Sequence, residues 1–142
     1  MKLHILLSRI LAGLTALWAI NITFYLLLVA QVTIQGDQMS ASEGQPPVST
    51  PIIQHLSFAQ YTGIPGMVAV FAFALLLIAG AYASWRGSLR ALILLAVLAL
   101  VASYVTGFSI GGAFLPGALA LAVSAVINGL DLLMQHSKKT TA

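Results

Sequence analysis

Asn128 and Asp131 are the residues of this chain whose types and spacing come nearest to a reactive pair. Three positions apart, they share one face of any helix that contains them. A carboxylate beside an amide can hold a cation, pass a proton or pair with a basic group. Asp131 stands near the C-terminal end of an apolar stretch, where the helix dipole disfavours a negative charge. A compensating cation is therefore expected, and Arg9, Arg86 and Arg90 are the candidates. The spacing favours a structural ion pair. A proton or ion relay would need polar groups through the whole apolar thickness, and the stretches do not supply them.

Asn21 is the second polar residue at an unusual place, near the middle of the first apolar stretch. An amide in hydrocarbon is costly unless it finds a hydrogen-bond partner. An interhelical hydrogen bond, contributing about 0.6–2 kcal/mol, is the structural use of such a group. Lining a ligand or ion path is the functional use. Asn21-Ile22-Thr23 also fits a glycosylation acceptor, but membrane depth excludes that reading.

The remaining chemistry is mostly exclusion. The chain has no Cys, so disulfide shuttling, thiolate metal sites and Cys nucleophiles are ruled out. His4, His55 and His136 are too dispersed for a metal site and read as solvated. Asp37, Glu43 and His55 lack the spacing of a calcium loop. No G-x-S-x-G, H-E-x-x-H or phosphate-cradling glycine pattern occurs. No catalytic residue, cofactor or metal is expected, and the chain does not read as an enzyme.

Those polar residues must be carried by a chain of 142 residues that is 60% hydrophobic and 6% charged. A soluble domain carries about 25% charged residues, so a bilayer is the solvent this composition suits. The six basic residues form three pairs: Lys2 with Arg9, Arg86 with Arg90, and Lys138 with Lys139. The apolar intervals between the pairs contain no Lys or Arg. Cytoplasmic loops collect Lys and Arg, so each interval must cross the membrane an even number of times. Two crossings per interval fit the lengths, because about 20 helical residues span a hydrocarbon core of about 30 Å.

The expected fold is an all-α integral membrane protein, a multi-pass bundle of four transmembrane helices with N and C termini cytoplasmic. The spans fall at about 10–32, 67–85, 91–106 and 116–134, in a single membrane domain over 1–142. The first is longer than a signal-peptide core and reads as a retained span. Arg86 to Arg90 forms a tight cytoplasmic turn. Gly107 to Gly112 breaks the second long apolar run, and Pro116 suits the first turn of the fourth span.

The outer loop covers 33–63. Its composition over 36–50 is that of an irregular segment. Thr50 as N-cap and Pro51 as first helical residue then suggest a short amphipathic helix on the outer surface, with Ile52, Leu56 and Ala59 on its apolar side.

Helix association in lipid depends on small residues that let backbones approach. The stripes Ala12, Ala16, Ala19, Thr23; Ala69, Ala72, Ala79, Ala83; Ala96, Ala99, Ser103, Gly107; and Ala118, Ala122, Ala125, Gly129 are the candidates. The pI near 9.6 reflects cations at membrane edges rather than a nucleic-acid surface.

Two functions remain open. One is a structural or accessory subunit whose partners are the lipid bilayer and other membrane-protein subunits or further copies of itself. The other is a small transporter or binding protein for a lipophilic molecule, with a site near Asn21, Ser103 and Ser124. The span count is similar to that of small multidrug cation exporters, but those depend on a Glu in the first span and this first span has no acid. A bacterial cytoplasmic (inner) membrane is the expected location.

Overall fold

A computed structural model describes residues 3–40, 48–107 and 110–140, with side chains over 3–36, 51–107 and 110–134. In chain order the elements are α1 (Leu3–Phe24), continued by a π-helical turn (Tyr25–Val29), β1 (Gln31–Ser40), β2 (Val48–Ser57), α2 (Phe58–Arg86), α3 (Leu89–Val105) and α4 (Ile110–Thr140). Three helical segments, Leu3–Val29, Phe58–Arg86 and Ile110–Met134, are long and apolar enough to cross a membrane, and Leu89–Val105 is a shorter apolar helix.

The four helices form a bundle with a diamond cross-section. Helices α2 and α4 touch each other, and each touches both α1 and α3; α1 and α3 do not approach one another among the described residues. The α2–α4 diagonal is the core. Along it Phe73 stacks on Phe114 with ring centroids 5.2 Å apart. Leu77 then lies against Gly117, Gly80 receives Leu121, and Ser84 meets Ser124. Both leucines are fully buried. The rising pairs show that α2 and α4 run parallel, whereas the short turn after Arg86 makes α3 antiparallel to α2.

At Gly80 the two helices interlock. A Cβ there would overlap the Leu121 side chain, so only the missing side chain lets that leucine seat. Gly87 does a different task. Its φ of 71° is left-handed, and Ser88 N–H donates to Ala83 O at 3.0 Å, which closes the α2 C-terminus in a Schellman-type turn. Two residues, Gly87 and Ser88, then suffice to reverse the chain between Arg86 and Arg90.

The topology collects the basic residues. The start of α1, the α2–α3 turn and the end of α4 all lie at one end of the bundle, so Arg9, Arg86 and Arg90 share that end with the stretch of α4 that carries Lys138 and Lys139. The opposite end carries the β1–β2 hairpin and the α3–α4 turn at Gly107.

The segment between the first two helices departs from expectation. It holds a two-stranded antiparallel hairpin, paired from Gln31 with Ser57 to Ser40 with Val48, in place of an irregular loop and a short interfacial helix. The fold is therefore mostly helical with a β-hairpin rather than all-α. Ile52 and Leu56 lie four apart and imitate one helix face, but Ile52 and Ile53 are β-branched and suit a strand. An isolated helix of three turns is marginal in water. Pairing with β1 instead gives partners to the inward-pointing backbone groups along ten residues.

The helix that follows is announced by Ser57. Its hydroxyl accepts from Gln60 N–H at 3.3 Å, and the Gln60 amide oxygen accepts from Ser57 N–H at 3.0 Å. This capping box starts α2 at Phe58, nine residues before Met67. The Gly63 to Gly66 break is a kink inside α2, with Gly63 at φ 62° and Pro65 in the helix. Pro116 likewise lies within α4, not in its first turn. The proposed cap Thr50 lies outside the described side chains.

The small-residue faces are partly shifted from the expected stripes. Helix α1 buries Ser8, Ala12, Thr15, Ala19 and Thr23, so Thr15 takes the place expected of Ala16. Ala72 and Ala79 of α2 face outward, and Gly80, Ala83 and Ser84 face in. Helix α3 buries Ala96, Ala99 and Ser103 together with Leu92. Helix α4 buries Ala118 and Ala125, with Ala122 and Gly129 half-buried.

Candidate functional site: a hydrogen-bonded polar lock between three helices

At the basic end of the bundle, α1, α2 and α4 bring one serine each to a common point. Ser8 Oγ lies 2.7 Å from Ser124 Oγ and 3.2 Å from Ser84 Oγ, and Ser84 Oγ lies 3.1 Å from Ser124 Oγ. Asn128 Nδ2 donates to Ser8 Oγ at 2.7 Å, and the Ser124 hydroxyl also reaches Ser8 O at 3.3 Å. Ser8 is 1% exposed, Ser84 4% and Ser124 0%. Each element supplies its serine by helical spacing. Ser8 precedes Ala12 on the inward stripe of α1, Ser84 is one turn beyond Gly80 on α2, and Ser124, Asn128 and Asp131 follow one another on a single face of α4.

The triangle closes its own hydrogen-bond account. Each hydroxyl has one proton and two lone pairs, so three donors can run around three edges while Ser8 accepts from Asn128 as well. In low dielectric a satisfied network is stronger than its separate bonds, and an unsatisfied one is costly. This arrangement joins the three helices through matched polar atoms; in a bilayer, Leu against Leu would give no gain over lipid.

One turn further out, His4 Nε2 lies 3.9 Å from Asp131 Oδ1. Asp131 is 8% exposed. The side chains that the structure brings beside this carboxylate include His4, whereas Arg9, Arg86 and Arg90 were the residues expected from sequence. Arg86 instead lies over the Tyr82 ring, 5.4 Å from its centroid, and Arg90 is exposed at the start of α3. Arg9 contributes its backbone carbonyl, which accepts from Trp85 Nε1–H at 3.2 Å. A second indole repeats that device, with Trp18 Nε1–H donating to Ala113 O at 3.1 Å and joining α1 to α4.

Asn128 and Asp131 are therefore brought together with His4 and the three serines. Asn21 is not. It lies on the outer face of α1, in a groove of about 430 Å³ lined by Leu14, Leu17, Trp18, Ile22 and Tyr25. Asn21, Ser103 and Ser124 consequently share no cavity: Asn21 faces out, Ser124 is locked in the triangle, and Ser103 Oγ is buried without a hydrogen-bond partner among the described residues. Among the described residues no group of three or more His, Asp or Glu side chains could hold a metal ion.

Sequence reasoning missed Ser8, Ser84 and the pairing role of His4. Serine is common in apolar helices, so its type gave no signal. Position did: Ser8 continues the Ala12 stripe by one turn, and Ser84 adjoins Ala83. No family model matches the chain, and no curated protein or solved structure is detectably similar to it.

Proposed function

We propose that this chain is a small multi-pass membrane protein acting as a structural or accessory subunit of a membrane complex, with its basic end in the cytoplasm. The observation that carries this reading is the division of its side chains. The interior is closed by small residues, two interlocked leucines and a hydrogen-bonded polar lock, while the outside is a continuous girdle of Leu, Ile, Val and Phe. A surface of that kind suits lipid and other apolar helices. The filled interior and the outward place of Asn21 favour a docking role over carriage of a lipophilic molecule.

The orientation rests on the shared position of Arg9, Arg86 and Arg90 at one end. Drawing an arginine to the centre of a bilayer costs about 2.5–3.5 kcal/mol on insertion scales. A bacterial cytoplasmic membrane fits this asymmetry. Because the native chain has no Cys, single cysteines report topology cleanly. Ser88→Cys should react with a membrane-impermeant thiol reagent only in inverted vesicles, and Gln54→Cys only in right-side-out cells. The opposite pattern would overturn the orientation.

The functional reading is tested by mild-detergent extraction from the native membrane. The protein should migrate as an assembly of fixed stoichiometry above its own 14.9 kDa. A monomer that retains the cellular phenotype of the intact gene would overturn it.

A further inference from the structure

Asn21 is an amide on the outside of the bundle. It is exposed, it makes no hydrogen bond among the described residues, and apolar side chains surround it. It lies twelve positions after Arg9 and nine before Ala30, about 18 Å and about 14 Å along a helix axis at 1.5 Å per residue. Neither headgroup region is within its reach if Arg9 marks one boundary. Lipid tails offer it no partner, and an unmatched amide there is expensive.

The residues around it form a seam. Leu7, Leu11, Leu14, Trp18, Asn21 and Tyr25 follow a spacing of 4, 3, 4, 3 and 4, which is the heptad pattern of a left-handed helix pair. Leu7, Leu14 and Tyr25 are 49%, 55% and 50% exposed, whereas Leu11 is half-buried and the Trp18 indole is bonded to α4, so the seam borders the bundle and its outer edge is open. Its other face, Ser8 to Thr23, is already used by α2 and α4.

We propose that this face of α1 docks against the same face of a second copy of the chain. The argument for a second copy is self-complementarity. All copies insert with the same orientation, so a two-fold axis along the membrane normal sets Asn21 opposite Asn21 at equal depth. An amide is both donor and acceptor. Each Nδ2–H₂ then donates to the partner copy's Oδ1, and both groups are matched by two bonds that no single apolar partner could offer. Opposed amides at one depth also fix the register in which the two copies meet. The inference rests on the membrane-subunit reading above and names its first partner.

The test uses the full chain reconstituted in phosphatidylcholine–phosphatidylglycerol vesicles, labelled for energy transfer between copies and diluted in lipid. The wild type should dimerise, and Asn21→Leu should dimerise about 3- to 20-fold more weakly, the range expected for membrane hydrogen bonds. Asn21→Gln should retain much of the association. With oxidant, Leu14→Cys and Tyr25→Cys should cross-link between copies, and Leu98→Cys on the outer face of α3 should not. These cross-links do not depend on whether Asn21 variants fold. A wild type that stays monomeric, unchanged dimerisation of Asn21→Leu, or cross-linking at Leu98 instead of the α1 positions would overturn the proposal. If native extraction still yields a defined complex with a different protein while the vesicles hold monomers, the subunit reading stands and the α1 pairing falls.

Discussion

Gly80→Leu will separate α2 from α4 along the core diagonal. The site has no room, because Leu121 already occupies the space that a side chain at Gly80 would need. Forcing extra carbons into a packed interior costs about 1–3 kcal/mol, and occasionally more. Leu77 pressing on Gly117 is the reciprocal half of the same joint, so neither helix can shift away without losing the other contact. The expected loss is about 3 kcal/mol, at the upper end of that range. Unfolding in mixed micelles, followed by loss of helicity as a denaturing detergent is titrated in, measures it. The sharper arm is a double-mutant cycle. Gly80→Ala alone and Leu121→Ala alone should each destabilise, the second by leaving a gap worth about 2–5 kcal/mol. Together they should cost less than the sum by about 1 kcal/mol or more, because the smaller residue at 121 makes room for the new methyl group. Strict additivity would show that the joint does not exist.

Ser8→Leu should be nearly as damaging, for a different reason. Ser8 is the hub that meets Ser84, Ser124 and Asn128. Its replacement removes the Ser8 partner of the half-buried Asn128 amide, at about 1–2 kcal/mol, the lower part of the range for a group left without a partner, and adds bulk at a closed position, at about 1–3 kcal/mol. A loss of about 2–5 kcal/mol is expected in the same micelle titration. Ser84→Ala provides the contrast. It removes one corner but leaves Ser8 bonded to both Ser124 and Asn128, so its cost should stay near 0.6 kcal/mol, roughly the average for a membrane hydrogen bond. If Ser8→Leu and Ser84→Ala are equally mild, the three hydroxyls are neighbours without being a lock.

The helices were legible because their signals are long and redundant. Three basic pairs bracket two apolar intervals, and thickness alone divides each interval in two. The turn between Arg86 and Arg90 follows from that arithmetic. The hairpin was not legible, since Ile52 and Leu56 satisfy a helical spacing as well as a strand face, and short apolar runs do not separate the two. What decides between them is β1, whose pairing residues lie up to 26 positions away, as in Gln31 with Ser57. The capping box at Ser57 and Gln60 was present in the sequence and would have moved the start of α2 upstream. The polar lock was half legible. Asn128 and Asp131 stood out by type and spacing. Ser8 and Ser84 did not, because which face of an apolar helix points inward is set by its neighbours, as the exchange of Thr15 for Ala16 on α1 shows.

The gathering of Arg9, Arg86 and Arg90 at one pole of the bundle has an electrical consequence. In an energised cell the interior is negative, and carrying one elementary charge across the membrane changes its energy by about 2.3 kcal/mol per 100 mV. With the basic end in the cytoplasm, as proposed above, that voltage would hold the molecule in place: turning it over would drag every one of those guanidinium groups uphill, and the resting potential would act as a standing latch on its direction of insertion.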